Sequence, residues 1–317
     1  MSRALEAEVR PPWPFRLPAA GGGDRVMRVS GGVATRLLHV DEAAVLVHAW
    51  QPGADLVRFR AEPVPRSEVT APRLVGAPAA DEPAGPRQLR VAMERMRFAL
   101  GVDDDLGDFH RSFRRDRLLG PLLRRRPHLR PRRRPWPWEA LAWAVTNQLI
   151  EASRAALIQR RIVRRWGPRI GDGRDALRDV PTAAVIAGRA PAELESVDLA
   201  ARRAIALREI ARDVDRGRCD PSDPRSDARL LARRNIGPWT VQCLGLHGRG
   251  DPDSLPAGDL AYIKLVGRLA HLGRRATIAE VEEFYAPYAP YRGLAGVHTL
   301  TGLHHLVAQG GPQSLAA

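Results

Sequence analysis

Between two stretches with apolar residues at helical spacing stands a short turn, Asn235-Ile236-Gly237-Pro238. No other segment restricts the fold as strongly. The first stretch closes at Arg233 and Arg234, and an apolar one runs from Trp239 to about Leu246. Proline suits the first position of a helix, and a glycine before it permits a positive φ. The two helices must therefore meet in a tight hairpin, placed at about residues 226–248. The second helix starts with backbone N–H groups that have no partner of their own, and these suit a phosphate. A Gly/Asp/Pro loop then leads to Pro256-Ala257-Gly258-Asp259-Leu260, where a carboxylate opens another helix.

The remainder predicts an α+β chain: a small N-terminal antiparallel β-rich domain, 1–123, then a mostly helical domain, 124–317. Short β-forming runs fill Arg25 to Glu62, separated by the turn signals Gly31-Gly32, Asp41-Glu42 and Pro52-Gly53, so they read as a meander. Residues 1–12 are expected to be loose and 63–87 to form a loop. Helices are expected over Pro86–Leu100, Phe109–Leu123, Trp138–Gly167 (as one helix or a pair), Asp175–Ala187 and Leu199–Gly217. A short helix at Pro191–Ser196, with Ser226–Arg234, Asp259–Leu272, Thr277–Tyr285 and Tyr291–Gln309, completes the set. Asp103-Asp104-Asp105 fits a helix start better than a metal site, because Asp is favoured at an N-cap and in the first turn. The Arg/Pro stretch from Arg124 to Pro137 fits two roles equally, a contact with a nucleic-acid backbone or a solvated linker.

Bulk properties narrow the choice of partner. A chain of 317 residues is long enough for a sizeable core. Its net charge of +14 suits nucleic acid, but Lys264 is the only lysine and the excess is nearly all arginine, so the charge is supporting evidence only. No apolar run approaches transmembrane length, no secretion signal is visible, and the cytoplasm is the expected compartment. Two cysteines, Cys219 and Cys243, cannot build a disulfide framework, a four-thiolate metal site or an iron–sulfur cluster.

The stretch Arg234-Asn235-Ile236-Gly237-Pro238-Trp239-Thr240-Val241, followed by Asp259, resembles the hairpin and acid of the helix-hairpin-helix DNA glycosylases, specifically the AlkA-type 3-methyladenine DNA glycosylase II family. That family's hairpin reads Pro-Gly-Ile-Gly-Pro-Trp-Thr-Ala, so Asn235 stands where a glycine is usual. Asn is the next best residue for a left-handed turn. Further matches are Trp13-Pro14-Phe15, Trp138-Glu139-Ala140-Leu141 and Asn147-Gln148-Leu149.

The resemblance implies an α+β glycosylase that excises alkylated bases from double-stranded DNA by flipping them, acting as a monomer. Asp259 would be catalytic, stabilising positive charge on the sugar and orienting water. That role is compatible with an N-cap, since a helix N-terminus favours negative charge. Trp239 and Tyr291 match stacking positions of the base pocket, and Cys243 stands where the family has another aromatic. Leu149 matches the residue that fills the gap left by a flipped base, with Gln148 bracing the opposite strand; a core leucine is the plain alternative. Asn235, Ile236, Gly237 and Thr240 would form the phosphate contact. No side-chain metal site or cofactor is implied beyond a monovalent cation on hairpin carbonyls. Bifunctional relatives carry a lysine at the Trp239 position, so a monofunctional enzyme is expected. The competing expectations are a non-catalytic DNA-binding protein and a glycosylase for another damaged base.

Overall fold

The computed structural model describes residues 4–70, 83–173 and 175–308. Its N-terminal sheet contains β1 (Leu5–Val9), β2 (Met27–Ser30), β3 (Val33–Val40), β4 (Ala43–Gly53) and β5 (Leu56–Pro63), in the order β1-β5-β4-β3-β2. All neighbours are antiparallel, as the meander predicts. The sequence expectation fails for residues 1–12, because β1 pairs with β5 from Leu5↔Ala61 to Val9↔Val57. Its apolar residues alternate with Glu6 and Glu8, and those acids lie opposite Arg60 and Arg58. The pairing partner that makes this segment a strand lies about fifty residues away.

Helix α1 (Pro86–Leu100) packs on the sheet through Leu89, Ala92, Met93, Met96 and Leu100, against Val45, Val47 and Phe59. Within the loop expected at 63–87, β6 (Val69–Thr70) pairs with β7 (Arg169–Ile170), which pairs with β8 (Leu177–Arg178); residues 71–82 lie outside the described residues. The expected helix over 175–187 is therefore corrected. Asp179 receives the His39 and Val180 amides after β8, and the helix begins only at Ala183, capped by Thr182.

The other helices are α2 (Gly107–Phe113), α3 (Leu119–Arg125), α4 (Pro137–Asn147), α5 (Ala152–Trp166), α6 (Ala183–Ala187), α7 (Pro191–Glu195) and α8 (Ala201–Asp215). Then come α9 (Asp227–Leu231), α10 (Pro238–Leu244), α11 (Leu260–Leu269), α12 (Ile278–Tyr285) and α13 (Arg292–Ala308). The single helix expected over 109–123 splits in two, because the Asp116 carboxylate takes the Leu118 and Leu119 amides and restarts the chain. The stretch 138–167 resolves as the pair α4 and α5.

Two helical cores result. One holds Leu141, Val145, Ile158, Ile162, Leu207 and Ile210, and the hairpin contributes Ile236, Val241 and Leu244 to it. The other joins Phe109 and Leu119 to Tyr262, Val266, Val281, Tyr285 and Leu294. Helix α10 thus belongs to the first core and α11 to the second, and the loop between them crosses the boundary.

The Arg/Pro stretch plays neither expected role at three of its arginines. Arg130 is buried and donates to the Pro14 and His128 carbonyls at 2.8 and 3.0 Å. Arg133 pairs with Asp104, and Arg134 with Asp24 and Glu139. At these three positions the charge is taken up by the protein, while Arg124, Arg125 and Arg132 stay exposed. The acidic triplet is likewise absorbed: Asp103 pairs with Arg97, Asp104 with Arg133, and Asp105 accepts the Gly107 amide. Among the described residues no group of acidic, His or Cys side chains is arranged to hold a metal, and no helix is long and apolar enough to cross a membrane.

Candidate functional site

The hairpin turn takes its shape from Asn235, whose φ of 66° is left-handed. Gly237, for which the sequence suggested a positive φ, has φ −114° and ψ 177°. Pro238 dictates this, since a residue before proline is pushed to extended backbone. The Ile236 side chain is buried in the first helical core and its amide donates to the Arg233 carbonyl at 3.1 Å. Among the described residues the Asn235 and Gly237 amides have no intramolecular acceptor. A Cβ built on Gly237 meets nothing within 4 Å, so this backbone is open to approach.

Thr240 is not on that open edge. It is buried, its amide donates to the Gly237 carbonyl at 3.0 Å, and its hydroxyl accepts from Gln148 at 2.9 Å. Gln148 also donates to the Asn235 carbonyl at 2.9 Å. In this structure Gln148 ties the end of α4 to the hairpin rather than standing free beside a strand. The next residue, Leu149, has a left-handed φ of 58° and a relative exposure of 104 %. A leucine in this conformation is disfavoured by sterics, and an apolar side chain fully in water gains nothing from burial. Leu149 is not a core residue; it projects from a loop pinned to the hairpin.

Asp259 caps α11. Its Oδ1 accepts the Ala261 amide at 2.8 Å, and its Oδ2 accepts the Trp239 indole N–H at 3.3 Å. The half-exposed carboxylate is therefore oriented by both sides of the boundary, its own helix and α10. Cys243 follows Trp239 by one helical turn and Tyr262 follows Asp259 by one turn, so each pair shares a helix face. Both Cys243 and Tyr262 are buried. Burial raises the Cys243 thiol pKa, and the nearby Asp259 charge raises it further. The same two causes, with Tyr285 and Cys243 as added neighbours, raise the Tyr262 hydroxyl. Both stay protonated, so the wall beside Asp259 offers donors. Tyr262 was missed in the sequence, where only its spacing from Asp259 marked it.

Tyr291 lies in a different setting. Its ring packs on Phe109 with centroids 5.5 Å apart, and it lines a groove of about 220 Å³ with Phe109, Leu246, Arg133 and Asp104. Neither Asp259 nor Trp239 lines that groove. Asp253, another loop acid, holds the start of α13 through the Arg292 amide and guanidinium.

Hydrogen bonds link these parts: Gln148, next to Leu149, reaches the hairpin turn, and Trp239, at the start of α10, reaches Asp259. The chain matches no protein-family model. It is similar to a Mycobacterium tuberculosis protein described as a probable bifunctional transcriptional activator/DNA repair enzyme AlkA, with 30% identity over 237 residues, 73% of this chain and 46% of that one. The chain thus spans about half the length of that relative. A Bacillus subtilis DNA-3-methyladenine glycosylase is 24% identical over 200 residues, covering 61% of this chain and 66% of that protein. In fold it is similar to a 3-methyladenine DNA glycosylase from Archaeoglobus fulgidus, with a TM-score of 0.73 at 18% identity over 96% of this chain and all (100%) of the other.

Proposed function

We propose that this chain, which belongs by sequence and fold to the helix-hairpin-helix DNA glycosylase superfamily, is a monofunctional glycosylase that releases alkylated purines of the 3-methyladenine and 7-methylguanine type from duplex DNA. The observation that carries this reading is the double hold on Asp259, from the α11 amide and from the indole of Trp239, which follows directly on the open hairpin turn.

The free Gly237 amide suits a backbone phosphate, a contact that positions the duplex without reading its sequence. Leu149 fills the space left when a nucleotide leaves the stack. Gln148, bonded to Asn235 and Thr240, fixes the distance between wedge and phosphate contact. The extruded nucleotide then meets Asp259 and the Trp239 ring; aromatic faces attract cationic bases. As the bond between sugar and base breaks, its electron pair leaves with the base, neutralising it. The Asp259 carboxylate stabilises the positive charge on the sugar and takes a proton from the water that adds there. The Arg234 and Ile236 carbonyls receive no backbone hydrogen bond among the described residues, which fits a monovalent cation held at the turn. Trp239 offers no amine for attack on the sugar, and Lys264 is exposed beyond the acid on α11.

The test is a single-turnover incubation of wild type and Asp259→Asn with alkylated duplex, with borohydride present. Asn can still cap α11 but lacks the charge. One such electrostatic contribution is worth roughly 3 kcal/mol, about a hundredfold in rate. Base release should fall at least that far, and no protein–DNA adduct should form. A near-normal rate for the variant would leave Asp259 as a cap only. DNA binding without base release by wild type would make the chain a binding protein, and a trapped adduct at stoichiometric yield would make it a lyase.

A further inference from the structure

Between α3, the start of the Arg/Pro stretch and α13 lies a cavity of about 60 Å³, lined by Leu122, Arg125, Arg126, Leu129, His298 and Gly302. None of the residues assigned to the glycosylase reaction lines it. A single water needs roughly 10–15 Å³ of such space, so there is room for a group of several heavy atoms. His298 is 1 % exposed, and neither of its ring nitrogens has a hydrogen-bond partner. The Leu129 carbonyl lies close to the ring but without hydrogen-bond geometry. A buried polar group left unpaired costs free energy, and its partner is to be sought in the space it faces.

That space carries positive charge and no acid. Aspartate and glutamate are absent from the lining. The Arg126 guanidinium reaches only the Thr301 carbonyl, at 3.4 Å. Arg125 is exposed, and among the described residues its guanidinium has no ion-pair or hydrogen-bond partner. Burial lowers the pKa of both His298 and His128, and Arg126 lowers both further, with Arg16 and Arg130 adding to the effect at His128. Arg133 and Arg134, a few residues on, are neutralised by carboxylates; these two are not. We propose that this cavity binds a small oxyanion of the phosphate type, held by the Arg125 and Arg126 guanidiniums, with the His298 ring donating an N–H to it. Paired guanidinium donors suit the oxygens of phosphate, and charge strengthens each hydrogen bond. The phosphate has two sources, the free anion and the backbone of bound DNA. The inference goes beyond the glycosylase reading and does not depend on it.

The probe is inorganic phosphate, titrated calorimetrically into the full chain at constant ionic strength. Wild type should bind it saturably at one site. Arg125→Ala removes an exposed group that holds nothing else in the fold, and affinity should drop about tenfold, the worth of one charged hydrogen bond. His298→Phe keeps a buried ring and removes both nitrogens, and it should weaken binding as well. Should that variant fail to fold, Arg125→Ala carries the test alone. Absence of saturable binding to wild type, or equal affinity in wild type and Arg125→Ala, would overturn the site and leave the cavity to water. Addition of unmodified duplex then separates the sources. Displacement of phosphate assigns the cavity to the DNA backbone, phosphate retained beside bound duplex assigns it to the free anion, and either result upholds the site. Failure of wild type to release any base would sink the glycosylase reading and leave this proposal standing.

Discussion

Where the N-terminal sheet meets α4, charges are buried and each has a partner. Arg36 lies 2.5 Å from Glu139 and 3.7 Å from Asp179, while Arg134 reaches Asp24 and Glu139. Asp24 also accepts the Trp143 indole N–H at 2.9 Å, and Asp179 binds the His39 ring and amide. Burial alone would raise the Asp24 pKa, but Arg134 and Arg36, with the Val26 and Trp143 hydrogen bonds, outweigh it and hold it below the usual carboxylate value. At the hairpin the polar groups that matter are open: two amides without acceptors and a carboxylate half in solvent, beside a leucine in water with left-handed backbone. The first region engages its arginines with buried carboxylates, and they serve the fold. The second leaves local cost unrelieved, as binding sites do. The contrast teaches that arginine count is a poor guide to which surface of this chain is open to a partner.

Removing one side of the buried network should have the largest effect on stability. Glu139→Ala leaves buried Arg36 with only the longer contact to Asp179, and breaking such a pair costs about 3–5 kcal/mol. A denaturant midpoint equal to wild type would show that the junction is not held by its charges.

A buried group without an ion partner sharpens the comparison. His298 is 1 % exposed, and burial, then His110, His128 and Arg126, push its pKa down to about 3. The unfolded chain takes up this proton near pH 6.5 and the folded one does not. Its contribution is therefore complete above about pH 6.5 and is lost as pH falls toward about 3. Unfolding free energy should drop by about 1.4 kcal/mol between pH 7.5 and 5.5 from this group. His298→Leu should flatten that slope, and an unchanged slope would assign the acid sensitivity elsewhere.

The smallest stability effect is expected at the most exposed apolar residue. Leu149→Gly removes no packing and relieves a left-handed leucine, so the melting temperature should hold or rise, within about 1 kcal/mol. Base release should nevertheless fall. A clear loss of thermal stability with normal release would return Leu149 to the core and erase the contrast.

Much of the fold was legible where the determinants are local. The meander followed from alternating β-formers between glycine turns, and α1 was read with its true bounds, Pro86–Leu100. The hairpin and its acid were legible because Asn, Gly, Pro and an N-cap Asp restrict their own backbone. Strand β1 was not, because its glutamates suppress the apolar signal until Arg58 and Arg60 lie opposite them. The roles of Thr240 and Gln148 were misplaced for the same reason: a motif names a residue without saying which neighbour occupies its polar atoms. Tyr262 escaped notice because its burial beside Asp259 is decided only by packing.

By itself the sequence determined the central strands of the meander, most of the longer helices, the turn at Asn235 and the cap at Asp259, since each depends on residues within a few positions. The tertiary structure decided which of these meet. It brought Trp239 onto Asp259, twenty residues on, and Gln148 onto Asn235, a separation of 87. It also decided that Arg130, Arg133 and Arg134 would face protein rather than solvent. A side chain's charge and shape are written in its own position, but what satisfies them is fixed only when distant chain segments pack together.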